Sequence, residues 1–63
     1  MTIRIVVADD ADLMIRGICR VLEEDHRFTV AGTARDLDGL QRIVTYSRPD
    51  VVLLSVDAGY CKE

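Results

Sequence analysis

The chain is short of most features that stabilise or localise a small protein by means other than packing. It has two cysteines, Cys19 and Cys61, too few for a disulfide scaffold and at a spacing that fits no zinc pattern. Cys19 falls inside a helical pattern and reads as a small buried apolar residue. A Cys61–Cys61 link between chains is disfavoured in a reducing cytoplasm. No apolar run approaches the ~20 residues of a membrane span, and the N-terminus lacks the charged-then-apolar pattern of a signal peptide. A cytoplasmic protein with no membrane partner is expected. Lysine is scarce: all but one of the eight basic residues are arginines scattered singly, Lys62 being the exception. With a net charge of −3 and no basic patch, nucleic-acid binding through these residues is not expected. No charge run is long enough to form an interaction arm. The single histidine, His26, sits in a turn signal without a Ser or Cys partner and reads as a surface residue. The glycines form no phosphate-cradling pattern. Nothing here calls for an enzyme.

What remains is a soluble globular composition, 49% hydrophobic and 30% charged in 63 residues, enough for one small domain over residues 1–63. A chain of this length buries about 60% of its unfolded surface. Such a core is marginal without a disulfide, a metal or a partner chain.

Residues 3–8 are a short apolar run with β-branched residues, interrupted by Arg4 near its start and closed by Asp9-Asp10. Near-continuous apolar strands of this kind belong to parallel sheets covered on both faces. Residues 12–24 follow with helical spacing in Met14, Ile18, Val21 and Leu22, widened by Leu13 and Ile15. Asp12 is the expected N-cap. Gly17 costs helix propensity and predicts close packing at that point. Glu23-Glu24-Asp25 read as a solvated turn leading to a second strand over 28–32. Asp36 caps a second helix over 36–46, with Leu37, Leu40, Ile43 and Val44 as its stripe and Tyr46 packing at its end. Pro49 stops this helix, and 50–56 is the third strand.

The order β-α-β-α-β with short connections predicts an α/β protein with a three-stranded parallel sheet and right-handed crossovers. The doubly wound arrangement puts the first strand in the centre, order 2-1-3, with one helix on each face. Nothing covers the outer edge of the third strand, whose Val51, Val52, Leu53 and Leu54 make it the most apolar in the chain. That edge is a pairing surface.

Ligands of doubly wound sheets bind at the carboxyl ends of the strands. Asp9 and Asp10 follow the first strand there. Ser55 ends the neighbouring third strand at the same edge, with Asp57 two residues on. Adjacent carboxylates favour a hard cation such as Mg²⁺. The pair reads equally well as loop residues or as caps of the first helix.

Three passages together resemble the front half of a response-regulator receiver domain of the NarL/LuxR type. They are the apolar strand ending in Ala8-Asp9-Asp10 with Gly17 seven residues on; Val30-Ala31-Gly32-Thr33-Ala34 with Asp36-Leu37-Asp38-Gly39-Leu40; and Arg48-Pro49-Asp50-Val51-Val52-Leu53-Leu54. The resemblance spans essentially the whole chain. It implies a CheY-like, flavodoxin-like half-fold and a place in two-component (phosphorelay) signalling, in a family often joined to transcription regulation. It further implies that Asp9 and Asp10 hold Mg²⁺ near a phosphoryl group and that the Asp57 backbone carbonyl joins them. Two positions depart from the family. Ser55 stands where the phosphoacceptor aspartate belongs, and Gly59 stands where proline is usual. The family's fourth and fifth strands, with a Thr/Ser and a Lys that contact the phosphoryl group, have no counterpart in these residues. Lys62 falls too early to replace that lysine.

A serine hydroxyl is neutral at pH 7 and needs a base to attack phosphorus. The expectation is therefore a truncated, phosphorylation-incompetent receiver-like module acting by association, as a homodimer through Val51–Leu54 or with another receiver domain. Two other readings stay open. One is a small Mg²⁺- or phosphate-binding protein using Asp9, Asp10 and Asp57. The other is an excised or designed half-fold fragment.

Overall fold

The computed structural model describes residues 2–54. They form five elements in the order β1 (Ile3–Ala8), α1 (Asp12–Glu23), β2 (Phe28–Ala34), α2 (Leu37–Ser47) and β3 (Val51–Leu54). The sheet is parallel throughout, with order β2-β1-β3. This is the βαβαβ half of a doubly wound, flavodoxin-like fold.

β1 is central because it is the strand apolar enough to be covered on both faces. Ile5, Val6, Val7 and Ala8 are all buried, Val6 and Val7 completely. Each fully buried valine contributes about 1.5–3 kcal/mol of transfer free energy. Side chains alternate between the two faces of a strand. Ile5 and Val7 accordingly join Ile15 of α1 in the core, with Ile18, Cys19, Leu22 and Phe28 packed around them. On the other face, Arg4 reaches α2, its guanidinium donating to the Ser47 carbonyl at 2.6 Å.

β2 is longer than its sequence pattern suggests, running to Ala34 rather than residue 32. Its register against β1 slips between Ile5 and Val6, so that Ile5 pairs with Val30 and Val6 with Gly32. Ala31 is the extra residue of this bulge. Gly32 sits directly under α2. A Cβ built there would lie 2.5 Å from Ile43 Cγ1 and 2.8 Å from Ile43 Cδ1. The missing side chain is what lets α2 approach the sheet.

Asp36 caps α2 as expected, accepting from the Gly39 N–H at 2.7 Å. Arg48 ends the helix in the left-handed region at φ 49°, its N–H donating to the Val44 carbonyl. The turn into β2 is tied by Asp25, which accepts from both the backbone N–H and the guanidinium of Arg27. Arg27 in turn lies 5.8 Å from the centroid of the Phe28 ring.

Four local expectations are corrected. Asp12 is the first residue of α1, not its cap; the cap position is Ala11, and Asp12 instead pairs with Arg16 at 3.0 Å. Gly17 is not a point of close packing, since a Cβ there would meet nothing within 4 Å. Tyr46 is 91% exposed rather than packed, because it lies on the solvent side of α2. Leu37 is exposed too, leaving Leu40, Ile43 and Val44 as the half-buried stripe of that helix.

The helices settle over β1 and β2, and neither comes into backbone contact with β3. All four residues of β3 are therefore 39–46% exposed, on both faces as well as along the edge. β3 is held to the sheet by β1 alone. Pairs run from Ile5–Val51 to Ala8–Leu54, and a reciprocal clamp holds the entry of the strand. There the Asp50 N–H donates to the Arg4 carbonyl at 2.8 Å, and the Asp50 carboxylate accepts from the Arg4 N–H at 2.9 Å.

Candidate functional site

The carboxyl edge of the sheet begins where β1 runs out at Asp9. This carboxylate is 3% exposed, the only buried charged side chain among the described residues. Two backbone bonds explain why an acid can sit there. The Asp9 N–H donates to the Ala34 carbonyl at 3.1 Å, which extends the β1–β2 ladder by one residue. Its Oδ1 accepts from the Ala11 N–H at 2.9 Å. That N–H belongs to the cap residue of α1, so Asp9 satisfies a donor at the helix start, the service expected of Asp12. The positive end of the helix dipole further favours a negative charge at this place. Asp10, next along, is exposed.

Of the two roles that the sequence left open, Asp9 fills the one at the helix start, tying down α1. It does so at the carboxyl edge of the sheet, the edge where doubly wound folds bind ligands. Asp9 and Asp10 are hard oxygen donors of the kind a Mg²⁺ ion takes. Among the described residues, no three His, Cys, Asp or Glu side chains are grouped closely enough to hold a metal ion. The third expected contributor, Asp57, lies outside the described residues, as do Ser55, Gly59, Cys61 and Lys62. The last described pair of β3 is Ala8–Leu54, and Ala8 directly precedes Asp9.

Val51, Val52, Leu53 and Leu54, the residues expected to form an association edge, are 39–46% exposed. His26 is exposed as well. Cys19 is half-buried against the core. Burial, and after it the charge of Glu23, raises its thiol pKa above the ordinary value, which favours the neutral thiol. Among the described residues, no helix is long and apolar enough to cross a membrane.

One feature went unread in the sequence, the Arg4–Asp50 clamp. The Asp after Pro49 at the mouth of β3 could have signalled it, since a carboxylate at a strand entry needs a donor. The expected apolar face of α1 is corrected: Leu13, Met14 and Val21, read as part of it, are not packed on the core but line, with Gly17, Ile18, Leu22 and Leu53, a groove of about 510 Å³. Leu13 is 81% exposed, Val21 67% and Met14 50%.

A half-wound parallel sheet with an acidic pair at the carboxyl end of its central strand is a receiver-like module. No family model matches the chain, and no solved structure matches it. Similar proteins carry one name. Over 56 residues, 87% of the chain, it is 43% identical to a protein-glutamate methylesterase/protein-glutamine glutaminase of Symbiobacterium thermophilum. Over 55 residues it is 46% identical to the corresponding protein 2 of Methanosarcina acetivorans, and 36% identical to that of Bacillus licheniformis. The matched stretch spans 15% of the length of each of these relatives. They are named for an enzyme activity, not as NarL/LuxR-type regulators.

Proposed function

We propose that the chain is a receiver-like module of two-component signalling that does not accept a phosphoryl group and acts by protein–protein association. The observation that carries this reading is the sequence of the β3 end. Leu54 pairs with Ala8, directly before the buried Asp9, and the residue that follows Leu54 is a serine. An aspartate nucleophile is ionised at pH 7, whereas a serine hydroxyl needs a base that a carboxylate bound to a backbone N–H supplies poorly. The exposed apolar β3 supports association, with a second copy or with another receiver domain.

The relatives refine the setting. A stretch covering 15% of a methylesterase/glutaminase is a regulatory piece of such a protein rather than the whole of its chemistry. We favour this setting over the transcription regulation that the NarL/LuxR likeness implies, because the relatives at 43% and 46% identity bear the enzyme's name. We place the module in the cytoplasm, the setting that its two-component likeness implies. A second reading, weak Mg²⁺ binding by Asp9, Asp10 and Asp57, draws support from the burial of Asp9 at the ligand edge.

One experiment addresses both. The chain is incubated with acetyl phosphate and Mg²⁺, followed by intact mass, while a parallel sample is titrated with Mg²⁺ and watched by NMR. The expected result is no gain of a phosphoryl group and no saturable shift below millimolar Mg²⁺. Phosphorylation at Ser55 would overturn the first reading. Saturable shifts confined to Asp9, Asp10 and Asp57 would establish the second.

A further inference from the structure

Two places at the amino edge of the sheet are filled against local preference. The first is the end of α1. Glu23 is its last residue and Glu24 its C-cap, so two carboxylates stand at the negative end of the helix dipole. The second is the C-cap of α2. Arg48 holds φ 49° there, a left-handed conformation that glycine adopts without cost. Glu23, Glu24 and Arg48 are exposed, and none of them forms an ion pair among the described residues. Local rules are broken mainly at functional or strained positions.

Both places lie at the same end of the strands, at opposite corners. The Ile3 N–H donates to the Arg27 carbonyl at 2.7 Å, which sets the acidic turn beside the start of β1 on its β2 side. The Arg4–Asp50 clamp sets the end of α2 beside the same start on the β3 side. The faces differ too. α1 packs on the Ile5 and Val7 face, and α2 on the other, where Gly32 pairs with Val6 and lies against Ile43. Around Arg48 the charge is positive. Arg42 stands one turn before Tyr46 on the solvent side of α2, and the Arg4 guanidinium is held at the helix end by the Ser47 carbonyl. Tyr46, 91% exposed, adds an aromatic body with a polar tip, a residue type enriched at interfaces. Neither corner includes a residue of β3.

We infer that a second copy of the chain docks end to end on this amino edge, the Arg48 corner of each copy seated on the Glu23-Glu24 turn of the other. A two-fold axis perpendicular to the strands exchanges opposite corners, so both contacts form at once and one surface is complementary to itself. Charge selects the occupant. The chain carries a net charge of −3, and two uniformly acidic edges would repel each other. Arginines gathered at one corner and glutamates at the other turn that repulsion into steering toward a single orientation. Exposed ion pairs are individually weak, so the contact is transient and sensitive to salt, with the two Tyr46 rings as its apolar part. The two local costs then have one reason: each keeps a charge where the other copy meets it. This inference rests on the association reading above and names a surface for it.

The test is sedimentation equilibrium of the full chain and of two charge reversals, each checked by circular dichroism. Glu24→Arg places a cation at a helix C-terminus, which the dipole favours. Arg48→Glu keeps the exposed cap position and reverses its charge. Arg48→Gly, which suits the left-handed cap, is the companion variant that removes the charge with the fold secure. The expected result is a wild-type dimer that each reversal weakens at least about tenfold, about 1.4 kcal/mol, and that Arg48→Gly weakens in the same direction. An equimolar mixture of Glu24→Arg with Arg48→Glu should regain the dimer, because both contacts between the two variants again join opposite charges. A dimer insensitive to the reversals and to Arg48→Gly, or a mixture no more associated than its parts, would overturn the amino-edge surface while leaving the association reading standing. A wild-type chain that is monomeric at about 100 μM, with a concentration-independent melt, would overturn both.

Discussion

Replacing Gly32 by alanine tests how α2 is held to the sheet. The added Cβ would lie 2.5 Å from Ile43 Cγ1 and 2.8 Å from Cδ1, distances that real Cβ atoms do not tolerate, so Ile43 or the whole helix must move. Alanine suits a strand slightly better than glycine, by about 0.5–1 kcal/mol. Overpacking in a filled site costs about 1–3 kcal/mol. Overpacking wins, because β2 is fixed by its ladder to β1 and α2 is tied at both ends, by the Asp36 cap and by the Arg4 bond to Ser47. A net loss of about 1–2 kcal/mol is expected, a large share of the stability of a 63-residue chain at about 0.05–0.15 kcal/mol per residue. Urea melts of four proteins settle it: wild type, Gly32→Ala, Ile43→Ala and the double variant. Ile43→Ala removes both crowding atoms, leaving only Cβ, 4.0 Å away. The double variant should therefore lose less than the sum of the singles, with a coupling of about 1 kcal/mol. A neutral Gly32→Ala, or strict additivity, would refute the account of how α2 is seated.

Two further outcomes follow from local geometry. Arg48 holds a left-handed conformation at φ 49° that costs an L-residue about 1 kcal/mol. Arg48→Gly should raise the melting temperature by a few degrees, and a lower one would mean that the Arg48 side chain has a role beyond the cap. The hydrogen bond from the Arg27 side chain, and after it that from the Arg27 backbone, lowers the Asp25 pKa to about 2. A depressed acid contributes its stability above the unfolded value near 4 and loses it as pH falls through 2. Carboxyl NMR should place the Asp25 midpoint near 2, and Arg27→Ala should return it toward 4. A wild-type midpoint near 4 would show that the bonds do not persist in solution.

The candidate site was legible in part. The position of Asp9 at a strand's carboxyl end followed from the apolar run before it, but its bond to Ala11 did not. Which acid satisfies a helix start depends on the angle at which chain leaves strand, and Asp9, Asp10 and Asp12 look alike in sequence. Gly17 was read as a packing contact because a glycine in a helix has a cost. Whether another element approaches it is not encoded in that cost. The bulge at Ala31 left no mark, since Val-Ala-Gly-Thr-Ala pairs equally well on paper in either register.

The chain's one-dimensional pattern determined the element order, the parallel sheet and its 2-1-3 arrangement. Apolar periodicity, the Asp36 cap and the stop at Pro49 act over a few residues, and handedness rules leave few ways to connect what they build. The tertiary structure alone decided how the helices divide the sheet. Both lean toward β2, where Gly32 and the bulge admit α2 and where α1 meets the core of Ile5 and Val7. β3 keeps only its ladder and the Arg4–Asp50 clamp. Such placement is a balance of side-chain volumes between elements far apart in sequence, and it is what leaves β3 and the outer flank of α1 exposed.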